Sequence, residues 1–119
     1  MYKDLDIWKD SVNLIKEVYK IANILPKSEE YNLKSQLKRA IVSVSLNIAE
    51  GKSRKTGKDF ANFLGISTAS LTEVEAILTI CQELEYIKLN DSIFQDITKL
   101  NKQINSMRNY VLEKGGYRD

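Results

Sequence analysis

The chain divides into four segments in which apolar residues recur every three or four positions, the spacing that places them on one face of an α-helix. We predict helices over residues 5–25, 29–50, 57–87 and 92–114, and no stretch of alternating apolar and polar residues competes as a strand. Four helices of this kind, joined by short connections, are typical of an up-down-up-down bundle. The sequence therefore predicts an all-α protein, a single antiparallel four-helix bundle domain over residues 1–119.

Residues with known preferences at helix ends mark the predicted boundaries. Pro26 ends the first helix, and Gly51 is expected to end the second in the left-handed conformation that glycine adopts readily. Glu29 and Glu30 are expected in the first turn of the second helix, where carboxylates complement the helix dipole. The predicted caps of the other helices are Asp4 or Asp6, Thr56 with Asp59, and Asp91 or Ser92, the latter with Gln95.

The predicted helices carry more apolar surface than one core face requires. The main face of the first helix consists of Leu5, Trp8, Val12, Ile15, Tyr19 and Ala22. A second apolar line on that helix, expected to need a cover, consists of Ile7, Leu14, Val18, Ile21 and Leu25. The apolar residues off the main face of the third helix are Ile66, Ala69, Ala76 and Ile80. Because exposed apolar patches usually mark protein interfaces, this pattern predicts a homo-oligomer closed by symmetry.

A seam of polar residues runs along the second predicted helix between apolar neighbours. Its members are Gln36, Arg39, Ser43, Asn47 and Glu50. Polar groups removed from water need partners. Glu73 lies in the apolar sector of the third helix, and Arg39 is its natural counter-charge. We predict a partly buried ion pair between Arg39 and Glu73, whose hydrogen bonds are completed by Ser43, Asn47 and Ser70. We interpret the seam as a determinant of packing and assembly rather than of catalysis.

Charge is nearly balanced overall but segregated along the sequence. Lys and Arg number 18 against 16 Asp and Glu, a formal net charge of +2. Four cations, Lys52, Arg54, Lys55 and Lys58, lie between the second and third helices, whereas the segment from 59 to 87 has no basic residue. This loop is either a solvated connection or a rim that attracts phosphates in RNA or DNA. The cations expected to assist such binding are Lys34, Lys38, Lys114 and Arg118.

Most enzymatic chemistries are excluded by the residues that the chain lacks. It has no histidine and one cysteine, Cys81, which excludes histidine-based triads, ordinary zinc sites and an internal disulfide. The segment 51–58 has the wrong glycine spacing for a phosphate-binding loop and follows a helix. A carboxylate-only metal site using Glu50, Glu73 or Glu75 stays open, although no spacing favours it. We expect no enzyme activity, cofactor or metal, no membrane partner, and a cytoplasmic location.

The chain resembles the four-helix bundle family known from intervening sequences of bacterial 23S ribosomal RNA genes. The residues that carry the resemblance are Trp8, Pro26, Tyr31, Leu33, Gln36, Arg39, Ala40, Ser43, the run Asn47 to Gly51, Phe60, Phe63, Leu64, Ile66, Ser70 and Glu73. The Asn-Ile-Ala-Glu-Gly run with the upstream Arg-Ala pair is the most specific part of this pattern.

This resemblance has implications for assembly and partners. It extends to the accessory variability determinant proteins of diversity-generating retroelements, which form pentameric barrels and associate with a reverse transcriptase and nucleic acid. It implies a four-helix protomer that assembles into a pentamer, without established enzyme activity and without a cofactor. The seam residues, with Ser70 and Glu73, match as structural or interface positions. The resemblance thus favours an interaction module, with nucleic-acid binding through the basic loop as the alternative.

Overall fold

The structure, a computed structural model, describes residues 1–114 and contains four α-helices. These are α1 (Asp6–Asn23), α2 (Leu33–Lys52), α3 (Gly57–Glu83) and α4 (Asp91–Glu113). Each helix packs against its neighbours in the chain, and α1 also packs against α4. No strand occurs within the described part of the chain. The predicted all-α four-helix bundle is therefore confirmed.

Alternating helix directions place the connections at two opposite ends of the bundle. The loop that joins α2 to α3 lies at the same end as the start of α1 and the end of α4. We call this the loop end. The loops that join α1 to α2 and α3 to α4 lie together at the other end, which we call the far end.

The start of α2 differs from the prediction. The helix begins at Leu33, and Glu29 lies in a 3-10 turn, Lys27–Glu29, outside it. The Glu29 carboxylate accepts hydrogen bonds from Asn32 Nδ2 at 2.9 Å and from the Leu33 backbone N–H at 3.4 Å. The placement of Glu29 and Glu30 in the first turn of α2 was wrong, because the helix begins at Leu33 and Glu29 accepts from the Leu33 N–H out of the preceding turn.

Gly51 does not end α2 as predicted. The helix continues through it to Lys52, and Gly51 is buried. A Cβ added at this position would lie 2.8 Å from Phe60 Cδ1 and 2.9 Å from Phe63 Cβ. Glycine is required here because α2 and α3 approach closely, not because the backbone is left-handed.

The end of α3 comes at Glu83 rather than near residue 87. Glu85 adopts a φ of 61°, the left-handed conformation usually taken by glycine. The Tyr86 N–H donates to the Cys81 carbonyl at 3.0 Å and the Glu85 N–H donates to the Gln82 carbonyl at 2.9 Å. These two hydrogen bonds are those of a Schellman motif, which stops the helix without glycine.

Only one of the predicted helix caps is confirmed. The Thr56 hydroxyl accepts from the Asp59 backbone N–H at 3.1 Å at the start of α3. At α4, the cap is Asn90, whose side-chain oxygen accepts from the Ser92 N–H at 3.1 Å, so the predicted caps at residues 91 and 92 were wrong. At α1, Leu5 occupies the capping position without a side-chain hydrogen bond, so the predicted caps at residues 4 and 6 were wrong as well.

The two apolar lines of α1 have exchanged roles. The residues of this region that are buried in the core are Ile7, Leu14, Val18, Ala22 and Leu25. The predicted main face is only partly buried, with the exception of Ala22. Ser11 lies on the buried face and donates to the Trp8 carbonyl at 2.6 Å, so Ser45 donates to Ser11 Oγ across a 2.6 Å contact. Most of the second apolar line therefore needs no cover from another molecule.

The α3 helix contributes the most buried residues to the core. It is also the one described helix that is long and apolar enough to cross a membrane, judged by length and composition alone. Its buried side chains, among them Phe60, Leu64 and Leu71, pack in the interior of the bundle. Packing in the core accounts for its apolar character.

A hydrogen bond between Tyr86 and Glu29 ties the two far-end loops together. The Tyr86 hydroxyl donates to Glu29 Oε2 at 2.9 Å. This bond is the main cause that lowers the pKa of Glu29 below its ordinary value of 4.5, against a smaller opposing effect of desolvation. The same bond is the main cause that raises the pKa of Tyr86.

Replacing Tyr86→Phe is expected to lower the melting temperature at pH 7 by removing this tie. Because the folded-state pKa of Glu29 is depressed, its ionised form stabilises the fold above pH 4.5, and that contribution is lost as the pH falls through the folded-state pKa. The difference between the two proteins should therefore shrink below pH 4.5 in thermal unfolding followed by circular dichroism. Tyr31→Phe, at a tyrosine that is 95% exposed, is the control and should leave the melting temperature unchanged. A Tyr86 difference that is constant with pH would contradict the account.

Candidate protein interface

Three members of the predicted seam and its partner helix meet between α2 and α3. Ser43 Oγ and Ser70 Oγ lie 2.9 Å apart and share a hydrogen bond. Asn47 Nδ2 donates to the Ser43 carbonyl at 2.8 Å and to Ser43 Oγ at 3.0 Å. All three side chains are partly buried. These three residues were predicted to complete the hydrogen bonds of an Arg39–Glu73 pair, and they bond to one another instead, within one protomer.

Arg39 and Glu73 do not form the predicted ion pair within the protomer. Arg39 Nη2 donates to Ser35 Oγ at 3.2 Å, one turn earlier on the same helix. Both Arg39 and Glu73 are exposed, and no salt bridge joins them in the described chain. The partly buried pair was a wrong prediction because Arg39 lies about 40° further round α2 than Ser43, on the outward side of the groove.

The two ends of the seam are also solvated. Gln36 is exposed and donates to Asn32 Oδ1 at 2.8 Å. Glu50 is exposed and forms an ion pair with Arg54 at 3.4 Å. The seam is therefore polar and buried only at its centre, and it faces solvent elsewhere.

An exposed, largely apolar surface flanks this centre, and we call it the α2–α3 outer face. It consists of Arg39 and Leu46 on α2, and of Ile66, Ala69, Glu73, Ala76 and Ile80 on α3. Leu46 is 63% exposed, Ile66 is 49% exposed and Ile80 is 45% exposed. The predicted surplus of apolar surface on the third helix is confirmed, since all four residues named for it are exposed.

The register of α2 against α3 is fixed by two hydrogen bonds. One joins Ser43 to Ser70, and the other is donated by Ser67 Oγ to the Val44 carbonyl at 2.8 Å. The helices are antiparallel and rise by the same step per residue. A residue a given number of positions after Ser43 on α2 therefore lies at about the same height as the residue that number of positions before Ser70 on α3. Leu46 therefore lies level with Ile66, and Arg39 lies level with Glu73, along the bundle axis.

Sequence reasoning missed the buried serines at the helix contacts. Ser67 is buried between α3 and α2, and Ser11 and Ser45 are buried between α1 and α2. Each satisfies its hydroxyl with a short hydrogen bond, so that small side chains allow close helix approach without an unpaired polar group. Their position within apolar stripes was the available signal.

The four cations of the predicted basic loop do not act as one group. Arg54 pairs with Glu50, and its guanidinium lies 4.5 Å from the centre of the Phe63 ring. Lys52 is partly buried, and it interacts with the rest of the protein. Lys55 and Lys58 are exposed. Two of the four cations are therefore fully available to an anionic partner.

The assisting cations are not gathered around the basic loop. Lys34 lies at the far end, about 27 Å along α2 from Lys52, and pairs with Glu30 at 3.0 Å. Lys38 lies over the Tyr19 ring at 4.9 Å. Both lysines are therefore separated from the loop by most of the length of α2, and their assistance in nucleic-acid binding stays a prediction. Lys114 does lie at the loop end, and Arg118 is outside the described residues.

Within residues 1–114, no three Asp, Glu or Cys side chains come close enough to hold a metal ion. Glu50, Glu73 and Glu75 do not converge, since Glu73 and Glu75 are separated by about 200° around α3. Cys81 is buried, and burial raises the pKa of its thiol, with a smaller contribution from Glu29. A thiol in this state is a poor nucleophile at neutral pH.

Comparisons with known proteins agree with this architecture. The chain is similar to a crystal structure of a protein of unknown function from the S23 ribosomal protein family of Bacteroides thetaiotaomicron VPI-5482, with 26% sequence identity and a TM-score of 0.78. That similarity covers 86% of this chain and 97% of the other. No curated protein sequence matches the chain significantly. Residues 3–109 match the 23S rRNA-intervening sequence protein family, and the chain therefore belongs to that family.

Proposed function

We propose that the protein is a non-enzymatic interaction module that assembles with copies of itself through the α2–α3 outer face. The observation that supports this function is the exposure of Leu46, Ile66 and Ile80 beside a polar centre whose side chains hydrogen-bond to one another. Exposed apolar side chains grouped on one face are characteristic of protein contacts. The side chains of Ser43, Asn47 and Ser70 hydrogen-bond to one another, so a neighbour that covers this centre does not have to replace those bonds.

The assembly that we propose is a ring of five, the number implied by the resemblance to the accessory variability determinant proteins. A ring requires a head-to-tail contact in which one surface of a protomer meets a different surface of the next. The outer face offers two unlike sides, one on α2 around Leu46 and one on α3 around Ile66 and Ile80. Burial of one such side chain stabilises a contact by about 1.5–3 kcal/mol when complete.

Hydroxyl-radical footprinting tests this function on the wild-type protein. Oxidation of Leu46 and Ile66 is expected to fall as the protein concentration rises, because assembly removes them from water. Ile24 and Tyr31, exposed at the far end, are the internal controls and should react equally at all concentrations. If the oxidation of all four residues did not change with protein concentration, the outer face would not be an interface.

A second candidate function is binding of RNA or DNA at the loop end. The observation that favours it is the exposure of Lys55 and Lys58 beside the start of α3. A ring would repeat this pair of cations once per protomer and so form a charged rim.

Lys55→Ala with Lys58→Ala should weaken this binding while leaving the assembly unchanged. Each phosphate contact contributes a slope of about −0.9 to the dependence of log affinity on log salt for a duplex. We expect the wild type to show a steep slope in fluorescence anisotropy with a nonspecific duplex, and the double variant to show a shallower one. Lys16→Ala, at an exposed lysine on α1, is the control. Negligible wild-type affinity at low salt would eliminate this candidate.

A further inference from the structure

Two exposed charges of the outer face, Arg39 and Glu73, indicate how neighbouring copies contact each other. Arg39 and Glu73 have opposite charge, both are exposed, and no salt bridge joins them to each other within the described chain. They lie at the same level along the bundle, on opposite sides of the α2–α3 groove. The protomer does not bring these two charges together, and a second copy can supply each of them with its opposite charge.

In a symmetric assembly, the height of a residue along the rotation axis determines which residues of the next copy it can meet. A rotation axis parallel to the bundle moves each atom around the axis and leaves its height along the axis unchanged. In any closed ring about such an axis, a residue on α2 of one copy therefore meets a residue of equal height on the next copy. Where α2 of one protomer meets α3 of the next, Arg39 would then face Glu73 of the neighbour, whether the ring has two members or five.

We infer that Arg39 of one protomer pairs with Glu73 of the adjacent protomer and sets the register of the assembly, an inference that rests on the proposed self-association. Leu46 and Ile66 are level in the same way, so the same rotation places their apolar side chains in contact. The apolar contact supplies affinity, and the ion pair selects the correct height, since a shift along the axis separates the charges. The occupant of the outer face is thus a second copy of this chain.

Charge reversal tests the pair, with self-association measured by sedimentation velocity. Arg39→Glu and Glu73→Arg are each expected to weaken assembly by about tenfold or more, because each places two like charges at the contact. The variant that carries both changes restores opposite charges and should assemble within about threefold of the wild type. Glu75→Arg is the matched control, because it makes the same change of charge at an exposed residue on another side of α3. This variant should assemble normally. Circular dichroism checks that every variant is folded.

The outcomes separate this inference from the proposed function. A wild-type protein that stays monomeric overturns both. A wild type that assembles, with single reversals that assemble equally well, overturns the pair and leaves self-association standing. A double variant as weak as the single variants also overturns the pair, because the two charges would then act independently.

Discussion

Replacing Leu46→Asp together with Ile66→Asp is expected to convert the assembly into folded monomers. Each aspartate would bring a carboxylate into an apolar contact without a partner, and an unpaired buried charge costs several kcal/mol. A loss of about 4 kcal/mol per contact corresponds to roughly a thousandfold weaker association. The fold should survive, because both side chains are about half exposed or more in the protomer. Light scattering reports the mass, and circular dichroism reports the fold.

The matched control is Ile24→Asp, which introduces the same change at an exposed apolar residue of the far end. It should leave the mass unchanged, because Ile24 lies outside the α2–α3 outer face. If the Leu46 and Ile66 variant assembled as the wild type does, the contact between copies would have to lie on another surface.

Gly51→Ala is expected to destabilise the protomer by about 1–3 kcal/mol, even though alanine is the better helix former. The added Cβ would overlap Phe60 Cδ1 at 2.8 Å and Phe63 Cβ at 2.9 Å, and it would lie 3.2 Å from the Phe60 carbonyl oxygen. Phe60 is only 1% exposed, so its ring is held within the core and cannot turn out into solvent. The free energy of unfolding from urea titration measures the effect.

Gly65→Ala is the matched control on α3. The nearest atom to its added Cβ is Arg108 Nε at 3.6 Å, an ordinary contact with a side chain that can move. The change should stabilise the protein by about 0.5–1 kcal/mol through helix propensity alone. Equal effects of the two alanines, with the same sign, would show that Gly51 is not held by close packing.

The four helices could be predicted because apolar periodicity is a strong signal over segments of this length. The buried face of α1 could not be predicted, because the large residues Trp8 and Tyr19 dominate the apparent apolar line. Amphipathic side chains of this kind often lie at the edge of a core rather than inside it. The true core line contains Ser11, whose polarity conceals it until its hydrogen bond to Ser45 is known. Gly51 is a similar case, since close packing against Phe60 leaves no trace in local sequence.

Part of the candidate interface followed from sequence because small polar residues among apolar ones need partners. Ser43, Asn47 and Ser70 meet for this reason. The relation of Arg39 to Glu73 depends on how far α2 is rotated against α3, and a difference of about 40° decides between a buried pair and two solvated charges. Periodicity does not define a rotation that finely. The three-dimensional register was needed to show that the two residues are level and lie on the outward side.

The mass of the wild-type protein in solution tests the central claim of self-association most directly. Light scattering at tens of micromolar should give a multiple of the 13.6 kDa chain mass, and about 68 kDa for the five-membered ring that we propose, five times the chain mass. A mass of 13.6 kDa that does not change with concentration would contradict it.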